Sequence, residues 1–448
     1  MPERRLLPSP WSASAAGSTA ALSRRHLLGL GSLGTLAVAA GCAVPGTSGG
    51  GDGDADQDGG TLRTLFMQQA GYDAEAIEAM TTAFEAANPG WSVENTLVAY
   101  EALHDKIVIS APAGTYDVIL VDCIWTAELA DKQMVLDVTD RFTAAENSDL
   151  LAGTLATVTY QDRRWGFPWL PGGKAFFFNG PMLAEAGVAV DSTATWDGCV
   201  QAARTLKQAG LVEYPFSWSW SQSEALICDY TQLLGAFGGR FLDEDGRPAW
   251  NSGGAVTALE WMVMTLQEGL TDPASTKSLE DDVKKALLQR QAAMGLNWDY
   301  VYAASKDPAE TPHVGELTMA VSPAGPTGQN PAVDGGMGLS VTVGSKNSDA
   351  AWNLAAFLAS PEQQLAHADN SLPVWSSAYT DELRAGREQM VDVDRAGYEN
   401  LVSRPQVSDY NAVSQILQAS LQEALLGRRS PQQALDDAAN QATDVIGG

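Results

Sequence analysis

One segment constrains the fold more than any other: residues 116–122 read YDVILVD, a continuous apolar run with polar ends. A strand that is apolar on both faces must be covered on both sides, which is typical of the parallel sheets of α/β proteins. Residues 61–67 and 91–98 are predicted as further strands, and apolar side chains at helical spacing lie between them, over residues 77–84. The pattern predicts an α/β fold in which strands alternate with helices.

The end of the apolar run is a candidate for a binding site. Parallel α/β sheets bind ligands beyond the carboxyl ends of their strands. This rule places Asp122, the last residue of the run, and Trp125, three residues later, at the rim of such a site. Asp122 has an alternative role, because an aspartate directly after a strand can cap the helix that follows.

The length and the charge of the chain narrow its possible functions. With 448 residues, the chain is long enough for about two or three domains. It has 55 acidic residues against 27 lysines and arginines, a formal charge of −28. Nucleic acid and anionic membranes are bound through basic side chains. The charge therefore argues against nucleic acid as a partner and against adsorption of the folded protein to a membrane.

The first 41 residues have the pattern of an export signal. A pair of arginines precedes the apolar stretch 27–41, which at 15 residues is too short for a transmembrane helix. The arginine pair resembles a twin-arginine signal. The sequence VAAGC at 38–42 resembles a bacterial lipobox, with Cys42 as the lipidated residue. Ala39 stands where a lipobox usually has leucine, so ordinary cleavage is the alternative.

Residues 42–60 are rich in glycine and aspartate and have no apolar periodicity, which is typical of a flexible tether. Residues 1–41 contain four arginines and one glutamate, so their removal changes the formal charge from −28 to −31. We expect a lipid-anchored protein on the extracytoplasmic face of a bacterial cell membrane, attached to the membrane through the lipid alone.

An ordered set of fragments extends along residues 61–448: FEAANPGW, AGTYDVILVDCIWTAELADKQMVLDVTD, RWGFPWLPGGKAFFFNGPMLAEAG, TWDGCVQAARTLKQAG, ALLQRQAAMGLNW, GGMGLSVTVGSKNSDAAWNLAAFLASPEQQ and LLGRRSPQQALDDAANQA. The set resembles the extracellular solute-binding proteins of ABC sugar importers, the maltose-binding-protein-like group. The resemblance implies a two-lobed periplasmic-binding-protein fold, with a hinge of several chain crossings and a ligand cleft between the lobes. Lobe 1 would hold residues 61–170 and 318–372, and lobe 2 would hold residues 171–317 and 373–448.

A sugar site needs flat aromatic side chains for the apolar C–H faces of the sugar, and carboxylates and amides for its hydroxyl groups. A negatively charged cleft suits an uncharged polyol and repels an anionic one. Several predicted loops offer this mixture, and loops at matching positions commonly contact sugar in the family that the fragments resemble. The candidate ligand-binding residues are Gln68, Tyr72, Asp122, Trp125, Trp169, Trp218, Trp220, Trp298, Asp299, Gly336 and Trp375.

Each aromatic candidate has an alternative role, because a single tryptophan is more often a packing residue than a stacking platform. Trp218 and Trp220 lie on the same face if their segment is extended, so we expect one or both to reach the cleft. Trp196, Trp261 and Trp352 lie in helical patterns and are predicted to be packing residues.

No cofactor and no metal site are expected. Once the lipobox cysteine is lipidated, Cys123, Cys199 and Cys228 can form at most one disulfide, and no CxxC or Cys–His spacing suggests zinc. Buried free thiols are predicted for all three. Residues 54–59 begin like a calcium loop, but the twelfth position is Leu65 and not a bidentate glutamate, which leaves only weak calcium binding open.

The residues favour a binding protein over an enzyme. The three histidines after residue 41 lie in no recognisable catalytic arrangement, and with so many acidic residues almost any pair could be proposed as a glycosidase pair. We predict a monomer that captures a carbohydrate, a di- or oligosaccharide, and delivers it to the transmembrane permease subunits of an ABC importer. The alternatives are a lipoprotein glycosidase or lyase, and the same fold binding a peptide, a polyamine or a metal chelate.

Overall fold

The computed structural model describes residues 59–68 and 71–446. The predicted export signal, the lipidation site Cys42 and the tether up to residue 58 lie outside the described residues. Among the helices within these ranges, none is long and apolar enough to cross a membrane.

The strands of the described residues form two principal sheets. They are β1 (Gly60–Met67), β2 (Trp91–Val98), β3 (Val118–Asp122), β4 (Thr159–Tyr160), β5 (Arg163–Arg164), β6 (Phe167–Leu170), β7 (Ala175–Asn179), β8 (Met294–Asn297), β9 (Leu317–Ala320), β10 (Ala332–Val333), β11 (Met337–Val341) and β12 (Leu401–Val402). The first sheet has the order β2-β1-β3-β11-β6, and the second has the order β8-β7-β9. Two short pairs, β4 with β5 and β10 with β12, stand apart from them.

Helices follow most strands and cover the sheets. They are α1 (Ala74–Ala87), α2 (Tyr100–Ser110), α3 (Thr126–Asp131), α4 (Ala144–Asp149), α5 (Ala152–Thr157), α6 (Gly180–Glu185), α7 (Trp196–Gln208), α8 (Glu224–Ala236), α9 (Gly254–Gln267), α10 (Glu280–Leu288), α11 (Tyr300–Ala304), α12 (Ser348–Leu358), α13 (Pro361–Ala366), α14 (Asp381–Arg384), α15 (Glu388–Tyr398), α16 (Tyr410–Leu425) and α17 (Pro431–Ile446). The side chain of Asp73 caps α1 by accepting the backbone N–H of Ala76 at 2.8 Å.

The first sheet is built around β3, and all five residues of that strand are buried. β1 pairs in parallel with β2 and with β3, so the predicted α/β arrangement is confirmed for these three strands. β11, which the chain reaches on its return from the second sheet, pairs antiparallel with β3. The predicted helix over residues 77–84 is present as part of α1, whose apolar side chains at helical spacing are buried.

Two large apolar cores surround the sheets. The first packs on the five-stranded sheet, and the second is formed by the three-stranded sheet with α7, α8, α9, α16 and α17. Trp352 is buried in the first core, and Trp196 and Trp261 are buried in the second. The prediction that these three tryptophans are packing residues is confirmed.

The chain crosses between the sheets at residues 171–174 and again at residues 321–336. β9 pairs with β7, so residues 318–320 belong to the second sheet, although the sequence placed the start of the return to lobe 1 at residue 318. Val374 and Trp375 still pack in the first core, beyond residue 372 where lobe 1 was expected to end. Strand pairing and core packing thus place these two limits a few residues later than the resemblance implied.

The two crossings touch at Gly172. A Cβ atom on Gly172 would lie 2.1 Å from the carbonyl carbon of Gly335 and from the backbone nitrogen of Gly336, so only glycine permits this approach. The next residue, Gly173, has more room, because its nearest neighbour is the Cβ of Ala332 at 3.4 Å.

Gly172→Ala should lower the free energy of unfolding by about 1–3 kcal/mol, because the new methyl group forces two backbone segments apart. Gly173→Ala is the matched control. It reduces the entropy of the unfolded chain equally and should change the stability by less than about 1 kcal/mol. Urea denaturation measures both, and equal effects of the two substitutions would contradict the close approach.

Candidate functional site

A cavity of about 610 Å³ lies where the carboxyl ends of strands from both sheets meet. Met67, Asp122 and Leu170, which end β1, β3 and β6, line the cavity from the first sheet. Trp298 and Asp299, directly after β8, line it from the second sheet. Residues of α2, α8, α10 and α16 also contribute to the wall. Ligands of α/β proteins bind at this end of the strands.

Four of the candidate residues line this cavity: Asp122, Trp125, Trp298 and Asp299. Trp298 is only half-buried and presents part of its ring to the cavity. Trp125 is buried and stacks on Tyr100, with ring centroids 5.5 Å apart and an interplanar angle of 20°. The cavity therefore has an aromatic surface from each of the two sheets.

Three other candidates, Tyr72, Trp169 and Trp375, lie in the first core and do not line the cavity. The ring of Trp169 packs against Phe66 and Tyr72, with centroid distances of 5.3 and 4.8 Å. The indole N–H of Trp375 donates to the carbonyl oxygen of Ala359 at 2.6 Å. The loop and strand-end positions suggested a cleft location, but these side chains point to the core side of the sheet.

Trp218 and Trp220 share one face, as expected, but that face packs in the second core and not on the cavity. Their rings stack with centroids 5.5 Å apart, and neither residue has exposed surface. The rings of Trp196 and Trp261 cover Trp218 at 6.1 and 5.9 Å, and its indole N–H donates to Thr271 Oγ1 at 3.0 Å. A face of aromatic side chains can contact a ligand or pack in a core. In this protein, helices pack against the face that Trp218 and Trp220 share.

Gln68 and Gly336 also lie off the cavity wall. Gln68 is exposed after β1. Gly336 is buried, and its carbonyl oxygen accepts the backbone N–H of Cys123 at 3.0 Å. The preceding residue, Gly335, lines the cavity and lies flat against Trp298, because a Cβ there would be 2.3 Å from the indole ring. The glycine that meets the cavity is therefore Gly335, one residue before the candidate Gly336.

Arg404 is a buried cavity residue that the sequence analysis missed. Its Nη2 donates to Asp122 Oδ1 at 3.2 Å and to the carbonyl oxygen of Asp334 at 3.0 Å. Its Nη1 donates to Glu224 Oε1 at 2.8 Å. Asp122 ends β3 and Glu224 begins α8, so one guanidinium joins the two sides of the cavity.

Hydroxyl groups extend this ionic network. The Tyr100 hydroxyl donates to Asp122 Oδ2 at 2.9 Å, and Ser414 Oγ on α16 donates to Glu224 Oε2 at 2.6 Å. Asp122 Oδ1 also accepts the backbone N–H of Ile124 at 3.3 Å. Asp122 therefore has the capping role that was considered for it, and it lines the cavity as well.

A second buried cation, Lys174, contacts Trp298. Its Nζ lies 2.8 Å from Asp229 Oδ1, 3.4 Å from Glu280 Oε1 and 5.2 Å from the centroid of the Trp298 ring. Desolvation lowers the pKa of Lys174, but the two carboxylates outweigh this effect, so the pKa is raised and the ammonium stays charged. The cation–π contact and the close Gly335 backbone hold the indole in place.

Two polar atoms of the cavity wall are buried without a hydrogen-bond partner among the described residues. They are Nε of Arg404, which is a donor, and Oδ2 of Asp299, which is an acceptor. Although Asp299 as a whole is only half-buried, its Oδ2 is enclosed, and burial raises the pKa of Asp299 to about 7. Both atoms are covered by surrounding protein atoms, so neither is exposed to the cavity.

Cys123, Cys199 and Cys228 are free and buried, which confirms the prediction for the thiols. Cys228 lines the cavity. Burial raises the pKa of Cys228 to about 12, so its thiol stays protonated at neutral pH and is a poor nucleophile.

Known proteins match most of the chain. The sequence profile of the bacterial extracellular solute-binding proteins matches residues 68–365. A protein of Deinococcus radiodurans, named as an ABC transporter-binding protein, is 26% identical over 355 residues, which cover 76% of this chain and 82% of the relative. The structure of maltose-bound MalE3 from T. maritima has a TM-score of 0.80 and 28% identity, and the match covers 86% of this chain and 100% of that chain.

A solute-binding protein of an ABC transporter from Thermotoga lettingae, bound with α-D-tagatose, has a TM-score of 0.78. Its identity is 23%, and the match covers 86% of this chain and 99% of that chain. At this identity the likeness shows the fold alone. The periplasmic-binding-protein fold that the sequence predicted is confirmed by these structures.

The raised pKa of Asp299 predicts how stability depends on pH. The folded-state value, about 7, lies above the unfolded value of about 3.9, so between them the folded protein holds more protons. The contribution of Asp299 to stability therefore falls as the pH rises from about 4 to about 7. Asp299→Asn removes this titration.

The unfolding free energy of Asp299→Asn, relative to that of the unsubstituted protein, should increase by more than about 1 kcal/mol between about pH 5 and pH 8. Urea denaturation of both proteins at the two pH values measures the difference. A difference that does not change with pH would contradict the enclosed, uncompensated carboxylate.

Proposed function

Because the chain belongs to the bacterial extracellular solute-binding protein family, a family of binding proteins and not of enzymes, we propose that it captures a carbohydrate in the cavity between its two sheets. The protein is the solute-binding component of an ABC transporter. The proposed ligand is a di- or oligosaccharide, which the protein delivers to the permease subunits of the transporter.

The observation that carries the proposal is the combination of aromatic rings with carboxylate, amide and hydroxyl side chains in one wall. Trp298 and the stacked pair Tyr100–Trp125 offer flat surfaces for the C–H faces of sugar rings. Asn411, Gln415 and Gln418 on α16 bring amide groups to the same wall. A hydroxyl group both donates and accepts, so a polyol pairs with amide and carboxylate groups alike.

The size of the cavity and the ligands of similar proteins support a carbohydrate. A volume of about 610 Å³ lies within the range of about 300–1,000 Å³ that is usual for small-molecule pockets. The similar structures from T. maritima and Thermotoga lettingae were determined with maltose and with α-D-tagatose. Both are neutral polyhydroxylated molecules.

The proposed mechanism is closure of two lobes over the ligand, with the segments 171–174 and 321–336 as crossings of the hinge. The cavity wall contains residues from both sheets, so a ligand that contacts both favours the closed arrangement by its preferential affinity for it. The two crossings approach each other closely at Gly172, within the proposed hinge.

We further propose that the protein is anchored to the membrane through a lipid on Cys42. The support is the sequence pattern of residues 1–42, followed by the glycine- and aspartate-rich composition of residues 43–58, which is typical of a linker. An anchored receptor of this kind stays close to the permease that it supplies.

Trp298→Ala should weaken binding of the preferred sugar by about tenfold or more, because the variant loses a stacking face. Trp91→Ala, which removes a half-buried tryptophan of β2 that does not line the cavity, is the matched control and should bind like the unsubstituted protein. A thermal-shift screen identifies the sugar, since a ligand at 100 times its Kd stabilises the fold by about 2.7 kcal/mol. No stabilisation by any mono- or oligosaccharide or polyol would overturn the proposal.

A further inference from the structure

One face of α16 lies on the cavity. Four of its residues line the wall at spacings of three and four along the helix: Asn411, Ser414, Gln415 and Gln418. Val413, Leu417 and Leu421, on another side of the helix, pack in the second core and so fix the rotation of α16 about its axis. The face that α16 turns to the cavity is therefore polar and uncharged, and it carries three amide groups.

The hydrogen bonds of Ser414 determine which way the amide of Gln418 faces. Glu224 is paired with Arg404 at 2.8 Å, and its carboxylate accepts the hydroxyl proton of Ser414 at 2.6 Å. A hydroxyl group has one proton, so Ser414 Oγ can only accept from Gln418, whose Nε2 lies 2.9 Å away. With Nε2 held by Ser414, Oε1 of Gln418 is left for another partner.

This amide oxygen has surface that a ligand can reach. Gln418 is only half-buried, and it lines the cavity. Its Oε1 accepts no hydrogen bond from the residues that the structure describes, and it is not one of the enclosed polar atoms that lack a partner. An atom that is neither bonded nor enclosed is accessible, so a molecule in the cavity can donate a hydrogen bond to it.

Two neighbouring carboxylates are already bonded within the protein. Glu224 accepts from Arg404 through one oxygen and from Ser414 through the other, at 2.8 and 2.6 Å. Asp122 likewise accepts from Arg404 at 3.2 Å and from the Tyr100 hydroxyl at 2.9 Å. These two groups set the charge of the wall and the direction of the amide, while Gln418 Oε1 keeps its full capacity to accept.

We propose that Gln418 is a specificity-determining residue, whose Oε1 accepts a hydrogen bond from one particular hydroxyl group of the sugar. The inference rests on the proposed function, because it assigns hydroxyl recognition within the same cavity. A site with a fixed acceptor rejects a ligand that lacks the matching donor, since the acceptor then loses its partner. A hydroxyl group satisfies this acceptor, whereas an ether oxygen or a carboxylate does not.

Isothermal titration calorimetry with modified sugars tests the direction of this bond. Maltose is the first parent sugar, and the sugar that stabilises the protein most takes its place if maltose does not bind. Each hydroxyl group is replaced in turn by hydrogen and by fluorine, which accepts weakly but cannot donate. At one position at least, both replacements should weaken binding by about fivefold or more, because both remove the donated proton.

Two variants locate the position that Gln418 recognises. Gln418→Met keeps the length of the side chain and removes the amide, so the parent sugar should bind about fivefold or more weakly. At the recognised position, the affinity ratio of parent to analogue should fall to about one in this variant, as a double-mutant cycle requires. Gln441→Met, on an exposed part of α17 that does not line the cavity, is the matched control and should change neither quantity.

The remaining outcomes separate this inference from the proposed function. If Gln418→Met leaves the ratio unchanged at every position, Gln418 recognises no hydroxyl group, and the inference is overturned while the proposed function stands. If the fluorinated analogue binds as tightly as the parent at the position that the variant identifies, the direction assigned to the bond is overturned. If no carbohydrate or polyol stabilises the protein, the inference and the proposed function are both overturned.

Discussion

The guanidinium of Arg404 lies where the two sides of the cavity wall meet, and the surrounding side chains depend on it. It bonds to Asp122 at the end of β3, to the backbone of the crossing at Asp334, and to Glu224 at the start of α8. Without this cation the two buried carboxylates would repel each other in a medium of low dielectric constant. The planar guanidinium also fixes the directions of its hydrogen bonds, so it sets the geometry of the wall as well as its charge.

Lys174 has a corresponding role behind the aromatic wall. It neutralises Asp229 and contacts the ring of Trp298, while the bare backbone of Gly335 limits the ring from another direction. The two buried cations thus position a carboxylate cluster and an indole ring, and their own charges are already compensated. The remaining charge of the wall is negative, which repels phosphorylated or carboxylated solutes and is compatible with neutral or cationic ones.

Local patterns in the sequence predicted β1, β2, β3 and α1; β3 is a continuous apolar run that is buried throughout, and α1 buries apolar residues at helical spacing. The position of Trp298 and Asp299 on the cavity could also be predicted, since they directly follow a strand. Arg404 could not, because its carboxylate partners Glu224 and Asp122 lie 180 and 282 residues away in the chain and its surroundings have no periodicity. Trp218 and Trp220 show the opposite limit: alternation predicts a shared face, but whether helices or a ligand cover that face depends on distant segments.

Hydrogen–deuterium exchange of the protein, with and without the sugar that stabilises it most, tests the central claim most directly. Bound sugar should slow amide exchange in the segments 122–125, 222–225, 298–300 and 411–418, which contribute to the cavity wall from both sheets and from α8 and α16. The exposed ends of α4 and α17, which do not line the cavity, should exchange as before. Protection confined to segments away from the cavity, or to only one side of it, would contradict a ligand held between the two sheets.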